Sequence, residues 1–258
     1  MTLTFNPRNH AYRLDGKPVK GVTTLLDKGL PKPAIPRWAA KMVAEWVADN
    51  PDLTDELKRM GGRGPAVAFL KNIPWQTRDE AAIRGTDVHA LAEKLVHGEE
   101  VQVPEHLAGR VEGYVAWLDA FGFRPLVTER PVASRQWQYA GKPDAIGTFE
   151  QGPLAGKTCL LDWKTSRGVY GETALQTAAY ARADFYLHED GEEEPLPAIE
   201  ATGVVHIQEG LSELYVLASD PAEIDEAFRV FTHIAYVARR TDWIKNRITA
   251  PVELETTP

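Results

Sequence analysis

The sequence of 258 residues predicts a mixed α/β (α+β) domain, with a mixed central sheet flanked by helices and a mainly helical N-terminal elaboration. Three observations predict it. Strand-like runs follow one another at 126–133, 136–148 and 157–164, directly after a helix-like run at 107–121. A helical segment from 172 and two more apolar runs, 203–208 and 213–218, complete the order helix, three strands, helix, strand. The run Thr158-Cys159-Leu160-Leu161-Asp162-Trp163-Lys164 alternates as a strand must. Successive side chains point to opposite faces, so Thr158, Leu160, Asp162 and Lys164 share one face and Cys159, Leu161 and Trp163 the other.

In chain order, residues 3–20 predict a β-hairpin around the turn Asp15-Gly16, and residues 22–26 a short helix or turn. Pro31, Pro33 and Pro36 break the chain before a helix at 37–47, where Trp38, Met42 and Trp46 recur on one face as core or as nucleotide-stacking rings. The acids and Pro51 of 51–58 read as a solvated helix start, and Gly61-Gly62-Arg63-Gly64-Pro65 as a flexible break. It is no phosphate-binding loop, because the Walker lysine is missing. From Gln76 the chain turns helical, with Gly85-Thr86 interrupting it and Thr86 capping the next helix. Val88, Leu91, Ala92 and Leu95 give that helix its apolar stripe, and His89 and Glu93 lie beside it at i and i+4. The helix at 107–121 turns Val111, Tyr114, Val115 and Leu118 inward, and the one from 172 reaches 187. An acidic loop at 189–194 precedes the last two strands, and a long helix from 222 to about 244 closes the chain. Segments 1–83 and 84–258 are expected to form one compact domain.

Composition excludes several classes. Apolar content of 43% and charged content of 26% are ordinary for a globular chain, and no apolar run is long enough to span a bilayer. The N-terminus lacks the apolar core of a signal peptide, so a cytoplasmic protein without a membrane partner is expected. A lone Cys159 rules out an internal disulfide framework. The net charge of −8 does not advertise a polyanionic partner, yet its distribution is uneven. Residues 1–48 hold eight Lys/Arg against three acids, and residues 229–247 hold five against Asp242 alone. These are basic faces for nucleic acid or ordinary solvated faces.

The chemistry concentrates between 141 and 180. A hairpin pairing 144–148 with 160–164 brings Asp144 and Asp162 together beside Lys164. Two carboxylates suit a hard cation, Mg²⁺ or Mn²⁺, and the adjacent lysine suits water activation in phosphodiester hydrolysis. The spacing alone is weak, since acid-x-Lys also occurs at Asp15-Gly16-Lys17 and Glu56-Leu57-Lys58 and Pro-Asp at Pro51-Asp52. Only Pro143-Asp144 and Asp162-Trp163-Lys164 lie in paired strand-like runs.

Together with Gln176-x-x-x-Tyr180 and with His89 in Arg84-Gly85-Thr86-Asp87-Val88-His89, this pattern resembles the PD-(D/E)XK nuclease superfamily, in its RecB/Cas4-like and phage exonuclease branch, over residues 84–218. The resemblance implies a restriction-endonuclease-like core and a metal-dependent deoxyribonuclease, most simply an exonuclease of phage or bacterial recombination. It implies Mg²⁺ or Mn²⁺ on Asp144, Asp162, His89 and the Trp163 backbone carbonyl, with Glu129 a further ligand or an exposed strand residue. Lys164 positions or activates water, and Gln176 and Tyr180 order the site or touch DNA. Arg84, Thr165, Ser166, Arg37 and Lys41 become candidate DNA contacts, and a single-strand annealing or recombination protein a candidate partner in the host cytoplasm. Some relatives carry an iron–sulfur cluster on four cysteines, which this chain lacks. The competing expectations are a catalytically silent DNA-binding scaffold of the same fold, a structure-specific endonuclease, and an unrelated α/β protein with a chance motif, in which His89 is a hydrogen-bonded boundary residue.

Overall fold

The computed structural model describes residues 2–248, 250 and 251, without the side chains of Met60, Glu80, Ala81 and Arg84. The chain opens with β1 (Leu3–Asn6), β2 (Ala11–Leu14) and β3 (Lys17–Gly21). Asp15 and Gly16 both take positive φ between β2 and β3, the backbone a tight two-residue hairpin requires. Four helices follow: α1 (Val22–Gly29), α2 (Ala34–Asp49), α3 (Pro51–Gly61) and α4 (Arg63–Val96). After a 3₁₀ turn at Glu105–Leu107 come α5 (Ala108–Phe121), β4 (Phe123–Thr128), β5 (Val132–Ser134), β6 (Tyr139–Gly141), β7 (Ala145–Phe149) and β8 (Thr158–Lys164). The chain ends with α6 (Glu172–Ala181), β9 (Phe185–Leu187), β10 (Glu193–Pro195), β11 (Ala201–Gln208), β12 (Leu211–Ala218) and α7 (Pro221–Lys245). Pro221 occupies the first turn of α7, and Asp220 caps it by accepting from the backbone N–H of Ala222 and Glu223.

The molecule is mixed α/β, as expected, with helices against mixed sheets. The five-stranded sheet has the order β12-β11-β8-β7-β4, with β8 parallel to β11 and antiparallel to β7. Its two faces follow the alternation in β8. Cys159, Leu161 and Trp163 pack with Val88, Tyr114 and Trp117 beneath α4 and α5. Leu160 packs with Ala178 and Phe231 beneath α6 and α7. A second sheet, β1-β2-β3-β6-β5-β9-β10, joins the N-terminal strands to the middle of the chain.

Several local expectations give way. The run 126–133 is two strands in different sheets, because Glu129 takes φ 51° and breaks it. The helix from 172 stops at Ala181, since Phe185 pairs with Ala133 and the Asp184 carboxylate accepts from Ser134 Oγ and Arg135 N. Gly85-Thr86 does not interrupt α4; Thr86 Oγ1 donates to Ala82 O inside a continuous helix that also contains Pro74. The boundary at 83/84 therefore falls within one helix. Trp38, Met42 and Trp46 are half-buried rather than core, and Val115 faces outward.

Tyr180 explains the small residue at Gly141. Its ring lies against the Gly141 backbone, and a Cβ there would fall well inside van der Waals contact. Overpacking of this kind costs about 1–3 kcal/mol. Gly141→Ala should therefore lower stability by about that amount in a denaturant titration, with an unchanged m-value.

Candidate metal centre

The β7–β8 register makes the site. Ala145 faces Leu161, which sets Asp144 beside Asp162 at the end of the strand pair. Both carboxylates are buried, at 7% and 3% exposure, so each must find partners or be expelled. Asp144 Oδ2 accepts from the backbone N–H of Trp163 at 2.6 Å, and its Oδ1 lies 3.3 Å from His89 Nδ1. Asp162 Oδ1 accepts from Gln176 Nε2 at 2.7 Å. Its Oδ2 forms an ion pair with Lys164 Nζ at 2.5 Å.

His89 arrives from the opposite layer. Val88, Ala92 and Val96 bury one stripe of α4, and His97 Nε2 lies 2.9 Å from Thr128 Oγ1 at its end. The helix approaches β8 closely: a Cβ on Gly85 would stand 3.2 Å from Thr165 Oγ1. The His89 ring meets Trp163 edge-on at 6.0 Å and faces Asp144. Its place beside the carboxylates is therefore fixed by packing from both sides.

Among the described residues, His89, Glu129 and Asp144 each offer a ligand atom within 4.8 Å of the other two. This alters the expected set. Asp144 and His89 belong to it and Glu129 enters it, whereas Asp162 stands beside it, held by Lys164 and Gln176. Glu129 gets there through the bend that splits β4 from β5, with its N–H donating to Asp144 O at 3.0 Å. Trp163 touches the site through its amide N–H. Lys142, which no pattern singled out, forms an ion pair with Glu129. Its only sequence signal is its place two residues before Asp144.

Tyr180 is buried at 3% exposure, so it does not reach a substrate strand as expected; its hydroxyl accepts from Gln176 Nε2 at 3.3 Å. Gln176 orients Asp162. Ser166 Oγ donates to Gly168 O, and its carbonyl accepts from His206 Nε2 at 2.6 Å. His206 is buried and registered against Lys164 on β11, and sequence reasoning missed it. Thr165 is half-buried between β8 and α4. Arg37 and Lys41 are exposed on α2, which packs mainly on α3 and α4, and Lys41 lies 3.4 Å from Glu45. The side chain of Arg84 lies outside the described residues.

Burial and the mutual repulsion of the carboxylates set the electrostatics of the cluster. Burial, reinforced by Asp144, pushes the Glu129 carboxyl up to about 7 despite Lys142. Burial and Asp144 likewise push Asp162 up to about 6 against the pull of Lys164. Burial alone would raise Asp144, but His89, the Trp163 N–H and Lys164 outweigh it and bring that carboxyl below its usual value. Burial opposes the His89 cation, yet Asp144, Asp162 and Glu129 together raise its pKa. The donors fit a small divalent cation. Carboxylates suit Mg²⁺ and Mn²⁺ alike, and the imidazole favours Mn²⁺ of the two.

Ligation requires these groups to lose protons they hold in the metal-free protein. Raised pKa values on Glu129 and Asp162 favour the fold at low pH, and that contribution fades as pH climbs through 6 to 7; His89, also raised, acts in the same direction. Mn²⁺ should therefore bind more tightly by about tenfold or more per pH unit between pH 5.5 and 7. Calorimetry in two buffers of different ionisation enthalpy should record proton release, and His89→Ala should weaken binding. An affinity that is flat across this range would remove these residues as ligands.

No family model matches the chain, and no curated protein does. Among solved structures it is similar to SSO0001, at 17% identity and a TM-score of 0.28, over 56% of this chain and 63% of that one. The chain thus spans less than two thirds of that neighbour's length.

Proposed function

We propose that this chain is a divalent-metal-dependent deoxyribonuclease of the PD-(D/E)XK kind, acting on DNA ends as an exonuclease. One arrangement carries the reading: His89 from α4, Glu129 from the bend after β4 and Asp144 before β7 cluster within ligand distance beside the Asp162–Lys164 pair of β8. Four groups of ligand chemistry and an ammonium meet at one place, and Gln176 braces the carboxylate that the lysine touches.

In this reading His89, Glu129 and Asp144 would hold the cation, with the Asp162–Lys164 ion pair beside them. The cation supplies charge neutralisation at the phosphate and a more acidic water. Lys164 presents N–H donors that orient the attacking water and offset charge gathering on the phosphate oxygens. Gln176 keeps Asp162 in place through one amide hydrogen bond, and Tyr180 keeps Gln176. Water adds to phosphorus, the bond to the leaving sugar oxygen breaks, and that oxygen takes up a proton.

Thr165 and Ser166 follow Lys164 directly and are the nearest candidates for holding the strand being cut; Arg84, Arg37 and Lys41 would add charge farther out. The cytoplasm is the proposed compartment, and a single-strand annealing or recombination protein the proposed partner. Among the described residues no helix is long and apolar enough to cross a membrane.

The deciding measurement uses end-labelled linear and closed circular DNA with Mg²⁺ or Mn²⁺. Metal-dependent loss of the linear form alone is expected. Asp162→Ala should abolish it, and Lys164→Ala should slow it by about 10²–10³-fold while Mn²⁺ still binds. Metal binding without cleavage of any DNA would favour the silent scaffold, and cutting of the circle an endonuclease.

A further inference from the structure

We propose that the outer face of α7 is a platform for single-stranded nucleic acid, separate from the metal centre. Arg229, His233, Tyr236, Arg240, Trp243 and Arg247 recur at steps of three and four, so they line one face. The stripe runs roughly 27 Å along the helix and its last turn. The opposite face is already used: Ile224, Phe231, Ala235 and Ala238 are buried in the core. The stripe itself is open, with Tyr236 at 61% and Trp243 at 54% exposure. At its N-terminal end lies an open groove of about 540 Å³ between Trp137, Phe228, His233 and Tyr236.

Rings and guanidinium groups alternate along it. Arg240 lies 5.2 Å from the Tyr236 ring and 5.9 Å from that of Trp243, and Arg247 lies 5.2 Å from Trp243. Contacts of this kind are weak when exposed, so a base can replace a guanidinium on the ring while the guanidinium turns to a phosphate. Asp225 is engaged elsewhere, with Arg182 at 2.6 Å, whereas Glu226 pairs with Arg229 at the N-terminal end of the stripe, which leaves Arg240 and Arg247 as the cations beside the exposed rings. Arg239 donates to the backbone carbonyls of Trp137 and Gln138, and the Trp137 ring meets Phe228 edge-on at 5.9 Å.

Charge selects the occupant. A chain of net charge −8 places five cations against one acid within residues 229–247. The centre of a protein–protein interface is depleted of charge, whereas this stripe sets Arg240 and Arg247 among its exposed rings, with Arg229 at its other end. Alternating rings and cations match a strand whose base faces are free, which a duplex does not offer. The choice of DNA over another polyanion rests on the deoxyribonuclease reading; the platform itself does not.

The test is fluorescence anisotropy of labelled dT20 with the full chain in EDTA, which prevents hydrolysis, beside a duplex of the same length. Trp243→Ala should weaken dT20 binding about tenfold, within the range for one stacked base. Arg240→Glu with Arg247→Glu should lower the salt slope by about 1.4, as two lost phosphate contacts require. Duplex binding should change little in either. Variants that bind dT20 like wild type, or that lose duplex and single strand equally, overturn the proposal. So do variants that turn a dimer into monomers in sedimentation without affecting dT20, which would assign the face to a second copy. If wild type cleaves DNA while the variants bind dT20 normally, the platform falls and the nuclease stands; absent cleavage with variant-sensitive dT20 binding gives the reverse.

Discussion

The β7–β8 pairing puts two carboxylates where water hardly reaches, and the surrounding structure answers that cost. A buried charge is tolerated only with partners, and breaking one such partnership costs far more than an exposed ion pair is worth. Here the partners come from every direction. The strand itself contributes the Trp163 N–H, α4 contributes His89, α6 contributes Gln176, and β8 contributes Lys164. The helical layers on the two faces of the sheet both supply partners at this end of it.

The same logic separates what the sequence could express from what it could not. The seven residues of β8 alternate cleanly, so both faces were readable from spacing alone, whereas the pairing of Asp144 with Asp162 also needed the strand-like context on both sides. His89 was readable only as one of two alternatives, because its helix and the strands are joined by tertiary packing, which has no local signature. The second sheet was hidden: β5, β6, β9 and β10 have three residues each, too few to show a period. The helix from 172 was overextended because 182–187 suits a helix locally, and only strand pairing with β5 decides otherwise. Glu129 entered the ligand cluster through a left-handed backbone position, a conformation that residue type alone does not announce.

Function divides unevenly over the molecule. The carboxylates, imidazole and lysine concentrate at one end of the five-stranded sheet, where acidity is expensive and burial is deep. Arg37 and Lys41 on α2, and Arg229, Arg240 and Arg247 on or just after α7, face water, where charge costs little. A chain that is acidic in total can thereby keep its negative charge for a cation and still present positive charge to a polyanion.

One feature of α4 bears on how such a chain can vary. Its 34 residues run without a break from the N-terminal helices to His89, and the stretch after Gly85 is locked by Val88, Ala92 and Val96. An α-helix advances about 100° per residue, so its length is also a phase. One residue inserted between Pro74 and Gly85 would turn α2 and α3 about that angle around the helix axis, while leaving His89 in place. Two such insertions would carry them to the far side. Length changes in this segment are therefore tolerated in steps of three, four or seven residues, where a loop of the same length would accept any number.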